Sequence, residues 1–264
     1  MATNKIEVTF QNAHDHKTGH GSGFWIRSGD DLVFATNRHV IDIEYKSQKY
    51  QGHSYVLSSV QILTFDASGR SGKQHVVRAV IVTHEDPDID IALLRVSGVI
   101  NRDGISVVPA SVEVIADSHF LRTELEWGAQ VSFSSFQPWR DTQTERPILR
   151  TGILASDPAY PFVSTSIKRP DVHLLEAFSF AGGSGSPVFA NAKGIEVGPG
   201  LSGGGFRPAR IIGMMTGHLL NEDNEAGAPY KAHTGLSFCH RSDLLLSIVR
   251  GAEPLQQSTF GATN

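Results

Sequence analysis

Three short segments of the sequence carry side chains that together could activate a nucleophile, and the first contains His39. The residue follows an apolar run at once, in ATNRHV, so its imidazole is expected at the end of a strand. An imidazole can act as a base near neutral pH. Histidines in turns are often structural, so the role of His39 depends on the other two segments.

The second segment places Asp90 directly before a continuous apolar run, IALLRV. A carboxylate at the buried edge of a strand can hold an imidazole in one tautomer and stabilise the imidazolium. The alternative is that Glu85, Asp86, Asp88 and Asp90 form a solvated turn, or an oxygen-rich site for a hard cation. We assign the orienting role to Asp90 because it leads the buried strand.

The third segment, AGGSGSPVFA, surrounds Ser184 with glycines, and Pro187 opens the following strand. Such a turn exposes the serine Oγ, and the N–H groups of Gly182 and Ser184 can converge on an oxyanion. A flexible glycine-serine linker has a similar composition but is not usually followed by a run such as PVFA. This segment is the most specific of the three and predicts a nucleophilic serine.

The elements that must position these segments are mainly β-strands. Short runs rich in Val, Ile, Phe and Thr are separated by Gly, Asp, Asn and Pro. The pattern predicts an all-β fold of two six-stranded barrels, at residues 1–117 and 128–251, joined by a linker at 118–127. The predicted strands are Ile6 to Phe10, Gly23 to Arg27, Leu32 to Thr36, Tyr55 to Phe65, His75 to Thr83, Ile91 to Val96, Gln130 to Phe136, Leu149 to Ala155, Leu174 to Phe178, Pro187 to Ala190, Ile211 to Thr216 and Thr234 to Phe238.

A short helix is expected near the C-terminal end. Ser242 can cap a helix from Asp243 to Val249, and Gly251 just beyond it is a typical helix stop. We expect the tail at 252–264 to be disordered.

Composition and charge argue against several classes of protein. The 264 residues are 40% hydrophobic and 19% charged, which is typical of a soluble globular protein. A net charge of −4 gives no reason to expect nucleic acid as a partner. There is no apolar run of the roughly 20 residues that span a bilayer, no secretory signal in MATNKIEVTF and a single cysteine. We therefore expect a cytoplasmic protein without a membrane partner, with a secreted mature form as the alternative.

Weaker patterns do not predict a metal or a cofactor. His14, His16 and His20 have a spacing that suits a transition metal, but no nearby cysteine completes a tetrahedral set. The run GPGLSG at 198–203 has the letters of a dinucleotide loop without the strand before it and the helix after it. Cys239 ends a predicted strand with no glycine-rich turn nearby, so we expect a buried structural thiol.

In the order His, Asp, Ser, the three segments resemble the trypsin/chymotrypsin family of serine peptidases, particularly its disulfide-free bacterial members. The resemblance covers most of the chain, since GSGF at 21–24, TGIL at 151–154, IGMMTG at 212–217 and GLSF at 235–238 resemble strands of the family. It implies two perpendicular antiparallel Greek-key barrels with the site in the cleft between them.

The resemblance implies that the protein is an endopeptidase that acts on protein or peptide substrates without a cofactor. Ser184 would attack the scissile carbonyl, His39 would take and return the proton, and Asp90 would orient His39. The amides of Gly182 and Ser184 would form the oxyanion hole.

The resemblance also implies a set of substrate-binding residues. Met215, Thr216 and Gly217 would lie along the substrate, with His218 near the mouth of the primary pocket and Phe178 near its base. Phe178 replaces the acid with which trypsin binds lysine or arginine, so we expect no basic P1 preference. A histidine in this pocket suits an acidic or amide P1 side chain, and the alternative is an apolar pocket around Phe178 and Met215.

One departure from the family leaves two alternatives open. Gly183 stands where animal digestive members carry the acidic residue that pairs with a freed N-terminus, so cleavage at the N-terminus is not expected as a switch. The protein could be a latent peptidase whose oxyanion turn forms only with an activating partner or a substrate. It could also be a catalytically silent module that binds a partner, although the intact His, Asp and Ser argue against this.

Overall fold

A computed structural model describes most of the chain as two β-barrels with short helices between and after them. The described residues are 3–163, 171–194, 205–221, 232–251 and 255–261.

The first barrel consists of the first six strands. Their order around the barrel is β1-β4-β5-β6-β3-β2, and the pairing of β1 with β2 closes it. Alternate residues of β1, namely Ile6, Val8 and Phe10, point into the core, as expected for a strand with one buried face. The strands are β1 (Thr3–Gln11), β2 (His16–Ser28), β3 (Asp31–Thr36), β4 (Val56–Phe65), β5 (Ser71–His84) and β6 (Ala92–Asn101).

The second barrel has the closed order β10-β13-β12-β11-β8-β9. Closure gives every strand of a barrel two neighbours, which explains how so many short strands form a stable unit. The predicted all-β fold of two six-stranded antiparallel barrels is therefore confirmed. The strands are β8 (Gln130–Ser135), β9 (Ile148–Leu154), β10 (Val172–Glu176), β11 (Pro187–Ala190), β12 (Arg210–Leu220) and β13 (His233–Arg241).

The predicted linker at 118–127 contains a short helix, because Asp117 accepts the N–H of Phe120 and caps the chain there. The predicted C-terminal helix is also present, but it begins one residue earlier, with Ser242 as its first residue and Gly251 in the left-handed conformation after its end. Within the described residues, no helix is long and apolar enough to cross a membrane. The remaining elements are α1 (Arg38–Ile41), β7 (Ala110–Ser111), a 3-10 turn (Val112–Val114), α2 (Ser118–Thr123) and α3 (Ser242–Arg250).

The two barrels share a hydrophobic core with helix α3. Phe24 and Leu93 of the first barrel pack in one buried cluster with Met214 of the second and with Leu245 and Ile248 of the helix. This shared core brings the ends of β3 and β6 next to β12, which is where the candidate catalytic residues lie.

The expectation of a disordered tail is wrong for residues 255–261. These residues form β14 (Leu255–Gly261), which pairs antiparallel with the second half of β5, from His84 to Arg78. β4 pairs only with the first half of β5, so the tail satisfies main-chain groups that would otherwise form an open edge. Phe260 anchors the strand, since it is 8% exposed and packs in the core of the first barrel.

Candidate active site

His39 and Asp90 are brought together by the pairing of β3 with β6. Thr36 lies opposite Ala92 at the ends of these strands, so the residues just outside them are neighbours. The Nδ1 atom of His39 lies 2.6 Å from Oδ2 of Asp90, and Oδ1 of Asp90 accepts the main-chain N–H of His39 at 3.0 Å. Asp90 is 0% exposed, whereas the side chain of His39 is 33% exposed. One edge of the imidazole is therefore bound and the ring remains accessible.

The main chain of Asp90 is held by Asn37 and His240, to which the sequence assigned no role. Asn37 in turn contacts Thr216, which was expected along the substrate. The Nδ2 atom of Asn37 donates to the carbonyl of Asp90 at 2.7 Å and to Oγ1 of Thr216 at 3.2 Å. The N–H of Asp90 donates to Nε2 of His240 at 3.0 Å. Thr216 and His240 belong to the second barrel, so both barrels fix the position of this carboxylate. His240 lies within the strand pattern of β13, which gives no local signal for this role.

The acidic residues just before Asp90 lie at the surface and do not bind His39. Asp88 forms an ion pair with Lys46 at 2.5 Å, and its side chain is 50% exposed. Asp86 accepts the N–H of Asp88 in a surface turn. Across the described ranges, no three His, Cys, Asp or Glu side chains are grouped so that they could hold a metal ion.

Ser184 follows a tight turn whose conformation depends on a glycine. The N–H of Gly183 donates to the carbonyl of Phe180 at 2.9 Å, and Gly182 has a φ of 87°. This combination defines a type II turn, in which the third residue requires a positive φ. Among the described residues, no protein acceptor binds the N–H groups of Gly182 and Ser184. Two neighbouring donors are thus left for a ligand.

Strand β2 lies between the histidine and the serine. A Cβ added at Gly21 would be 2.9 Å from Cγ2 of Val40, the residue after His39, and 3.3 Å from the carbonyl oxygen of Ser184. The N–H of Ser22 donates to that same oxygen at 2.8 Å. Val40, the neighbour of His39, and the carbonyl of Ser184 therefore flank the same position of β2.

Of the residues expected to bind substrate, Phe178 and His218 belong to a small aromatic cluster, whereas Met215 lies in the core. The ring centroid of His218 is 4.5 Å from that of His233, which in turn is 4.8 Å from the ring of Phe178. Burial lowers the pKa of both His218 and His233 below the usual range. Phe178 is 51% exposed, whereas Met215 is 1% exposed and packs in the core of the second barrel. Only the main chain of Met215 reaches the turn, by accepting the N–H of Gly185 at 2.8 Å.

Two buried serines beside this cluster were not predicted. Oγ of Ser237 lies 2.7 Å from the carbonyl of Ala177 and 2.9 Å from Oγ of Ser179, which lies 3.5 Å from the carbonyl of Gly217. Ser237 lies within β13 and Ser179 in the loop after β10, and no pattern singles out either serine, so the sequence alone carries no signal for this network.

Of the weaker candidates from the sequence, Cys239 lies in the core and His20 lies near the turn that precedes Ser184. Cys239 is fully buried, and burial raises its pKa to about 12, so it is not a nucleophile at neutral pH. The glycine-rich run at 198–203 lies outside the described residues. His20 contacts the turn, since its Nε2 would be 3.3 Å from a Cβ added at Gly182.

Comparisons with known proteins agree with this fold. The crystal structure of Deg5 is similar with a TM-score of 0.50 at 18% identity, covering 95% of this chain and 90% of that one. The crystal structure of the thermostable serine protease AL20 from an extremophilic microorganism has a TM-score of 0.49 at 14% identity, covering 90% of each chain. No curated protein matches the sequence. At these identities the structural similarity to Deg5 shows a shared fold.

The family follows from the sequence match. The model of the trypsin-like peptidase domain matches residues 21–198, which include His39, Asp90 and Ser184. This match covers more than half of the chain, and the chain therefore belongs to the trypsin-like peptidase domain family.

Proposed function

We propose that the protein is a serine endopeptidase that hydrolyses peptide bonds through an acyl-enzyme on Ser184. The observation that carries the proposal is the contact of 2.6 Å between His39 and the buried Asp90, together with a serine turn in which two N–H groups have no acceptor among the described residues. A base, a group that orients it, a nucleophile and oxyanion donors are the parts that acyl transfer requires.

The chemistry begins with the tautomer of His39. In the reactive tautomer, Nδ1–H donates to the carboxylate of Asp90, and the lone pair lies on Nε2. Nε2 takes the proton of Ser184 as Oγ attacks the scissile carbonyl carbon, and Asp90 stabilises the imidazolium. The proton then passes to the leaving amine, and the C–N bond breaks. Water, deprotonated by the same nitrogen, hydrolyses the ester and restores Ser184.

The negative charge that develops on the carbonyl oxygen requires donors already in place. The amides of Gly182 and Ser184 fill this role because they make no hydrogen bond within the described protein. Removal of a single donor of this kind typically costs about 10²–10³ in kcat. The type II turn also supports a peptidase that is active without a partner, because the latent alternative requires the turn to form only on docking.

The primary pocket favours an uncharged P1 side chain. We place it beside the contacting rings of Phe178, His218 and His233, next to the hydroxyl of Ser179. Burial lowers the pKa of His218 and His233, which disfavours the charged rings that would bind a carboxylate. An apolar or amide side chain fits this environment better than an acidic one.

The experiment is labelling with a fluorophosphonate probe, followed by mass mapping of the modified residue. We expect labelling of the wild type at Ser184 and none of Ser184→Ala. Ser186→Ala is the matched control, because Ser186 lies two residues away, is 0% exposed and has no hydrogen-bond partner for Oγ among the described residues. Equal labelling of Ser184→Ala, or an unlabelled wild type, contradicts the proposal. Cleavage of peptides blocked at both ends would then separate an endopeptidase from an exopeptidase.

A further inference from the structure

We infer that Ser22, on β2 of the first barrel, is a positioning residue that holds the oxyanion turn of the second barrel in its working orientation. The inference rests on the proposed function of Ser184 and adds a residue that never touches the substrate. It arises from the hydrogen bonds that cross between the barrels.

Ser22 is 0% exposed and makes three hydrogen bonds to the second barrel. Its Oγ donates to the carbonyl of Gly182 at 2.7 Å and accepts the N–H of Phe136 at 3.3 Å. Its N–H donates to the carbonyl of Ser184 at 2.8 Å. On the other side, the carbonyl of Ser22 accepts Oγ1 of Thr36 at 2.8 Å, three residues before His39.

These bonds fix two peptide planes at both of their polar ends. The peptide between Gly182 and Gly183 is held by Ser22 at its carbonyl and by Phe180 at its N–H. The peptide that follows Ser184 is held by Ser22 at its carbonyl and by Met215 at its N–H. The N–H groups of Gly182 and Ser184 lie directly before these planes, so their directions are restricted as well.

The turn has an alternative conformation that Ser22 disfavours. Types I and II differ by a rotation of about 180° of the central peptide, which here carries the N–H of Gly182. A flipped peptide would direct a carbonyl, instead of an N–H, to the oxyanion site. Without the hydroxyl of Ser22, the buried carbonyl of Gly182 loses its donor. The peptide that follows Gly182 is then less restrained, which makes rotation of the peptide that precedes it easier.

A positioning role and a merely structural role predict different kinetics. Oxyanion donors act mainly in the transition state, so disorder of the turn lowers kcat and leaves KM nearly unchanged. Loss of a purely structural hydrogen bond lowers the melting temperature without a selective effect on kcat. A matched structural control is Thr64→Val, because Thr64 is 0% exposed in the same barrel and its Oγ1 donates at 3.3 Å to the carbonyl of Gly72, a residue of that barrel and not of the turn.

The experiment measures the second-order rate of fluorophosphonate labelling in the full chain, with melting temperature in parallel. For Ser22→Ala we expect a rate about 10- to 100-fold below wild type, less than the loss of a complete oxyanion donor. Ser22→Thr keeps the hydroxyl and should recover most of the rate, whereas Thr64→Val should label like wild type. If Ser22→Ala does not fold, Ser22→Cys keeps a side chain of similar shape with a weaker donor and should give an intermediate rate.

Three outcomes would contradict the positioning role of Ser22. If the folded Ser22→Ala or Ser22→Cys variant labels as fast as the wild type, the positioning role is wrong while Ser184 remains the nucleophile. If kcat on a cleaved peptide falls no further than in Thr64→Val, Ser22 is structural only. If the wild type does not label at all, the proposed function fails, and the inference falls with it.

Discussion

The carboxylate of Asp90 contacts His39 at two points, with Oδ2 2.6 Å from the ring Nδ1 and Oδ1 bound to the main-chain N–H. Because both oxygens are used on one residue, the imidazole has a single orientation relative to the main chain. Asp88, two residues earlier, has a comparable charge but pairs with Lys46 at the surface.

The two aspartates should therefore differ sharply when each is replaced by asparagine. Asp90→Asn allows the wrong tautomer of His39 and should lower kcat by about 10⁴. Asp88→Asn removes a surface ion pair and should change kcat by less than about twofold. Turnover of a cleaved peptide, or the labelling rate, measures both. The reverse ranking would transfer the orienting role to Asp88.

The close approach of the barrels at Gly185 should not tolerate a side chain. A Cβ added there would overlap the carbonyl oxygen of Ser22 and lie 2.7 Å from Oγ1 of Thr36, at a φ of 88°. We expect Gly185→Ala to abolish labelling and to lower the free energy of unfolding by more than about 3 kcal/mol. Gly29→Ala is the control, because Gly29 has a φ of 60° with no atom within 4 Å of the added Cβ. It should cost about 1 kcal/mol and leave labelling intact. Similar losses in the two variants would contradict the packing argument.

Buried His173 should make the protein less stable in acid. It is 0% exposed, neither ring nitrogen has a hydrogen-bond partner in the described protein, and burial lowers its pKa to about 3. The unfolded chain takes up a proton as the pH falls through the ordinary value of about 6.5, whereas the folded protein does not until about pH 3. The free energy of unfolding therefore carries no penalty from His173 above pH 6.5 and decreases as the pH falls below that value.

Urea unfolding between pH 7 and pH 5 measures the effect of His173. The slope from this residue is about 1.4 kcal/mol per pH unit below pH 6, and His173→Leu should remove it. His14→Leu, at an exposed position, should retain the wild-type slope. Parallel pH dependences of the wild type and His173→Leu would refute the assignment.

The C-terminal strand should contribute to stability through a single side chain. Phe260→Ala empties a buried position in the core of the first barrel and should lower the free energy of unfolding by about 3 kcal/mol. Thr259→Ala, at an exposed position of the same strand, should stay within about 0.5 kcal/mol. Chemical denaturation compares the two variants. Equal stabilities would mean that β14 adds little to the first barrel.

Much of the candidate site could be predicted from local sequence. His39, Asp90 and Ser184 stand at the ends of apolar runs or in a glycine-rich turn, and each of these patterns is complete within about ten residues. The twofold alternation of strands and the stop at Gly251 are equally local, which is why the all-β fold and the helix were predicted correctly. The pairing of β14 with β5 could not be predicted in this way. β14 has little apolar pattern, and it forms because β4 leaves the second half of β5 without a partner on that side.

The sequence by itself determined the fold class, the family and the three residues proposed to carry the chemistry. Only the tertiary structure decided what holds them in place. The bond from Asp90 to His240 joins residues 150 positions apart, and that from Ser22 to Gly182 joins residues 160 positions apart. Such partners leave no trace in local sequence periodicity. Each one binds a polar group that becomes buried, and therefore needs a partner, only when the two barrels pack together.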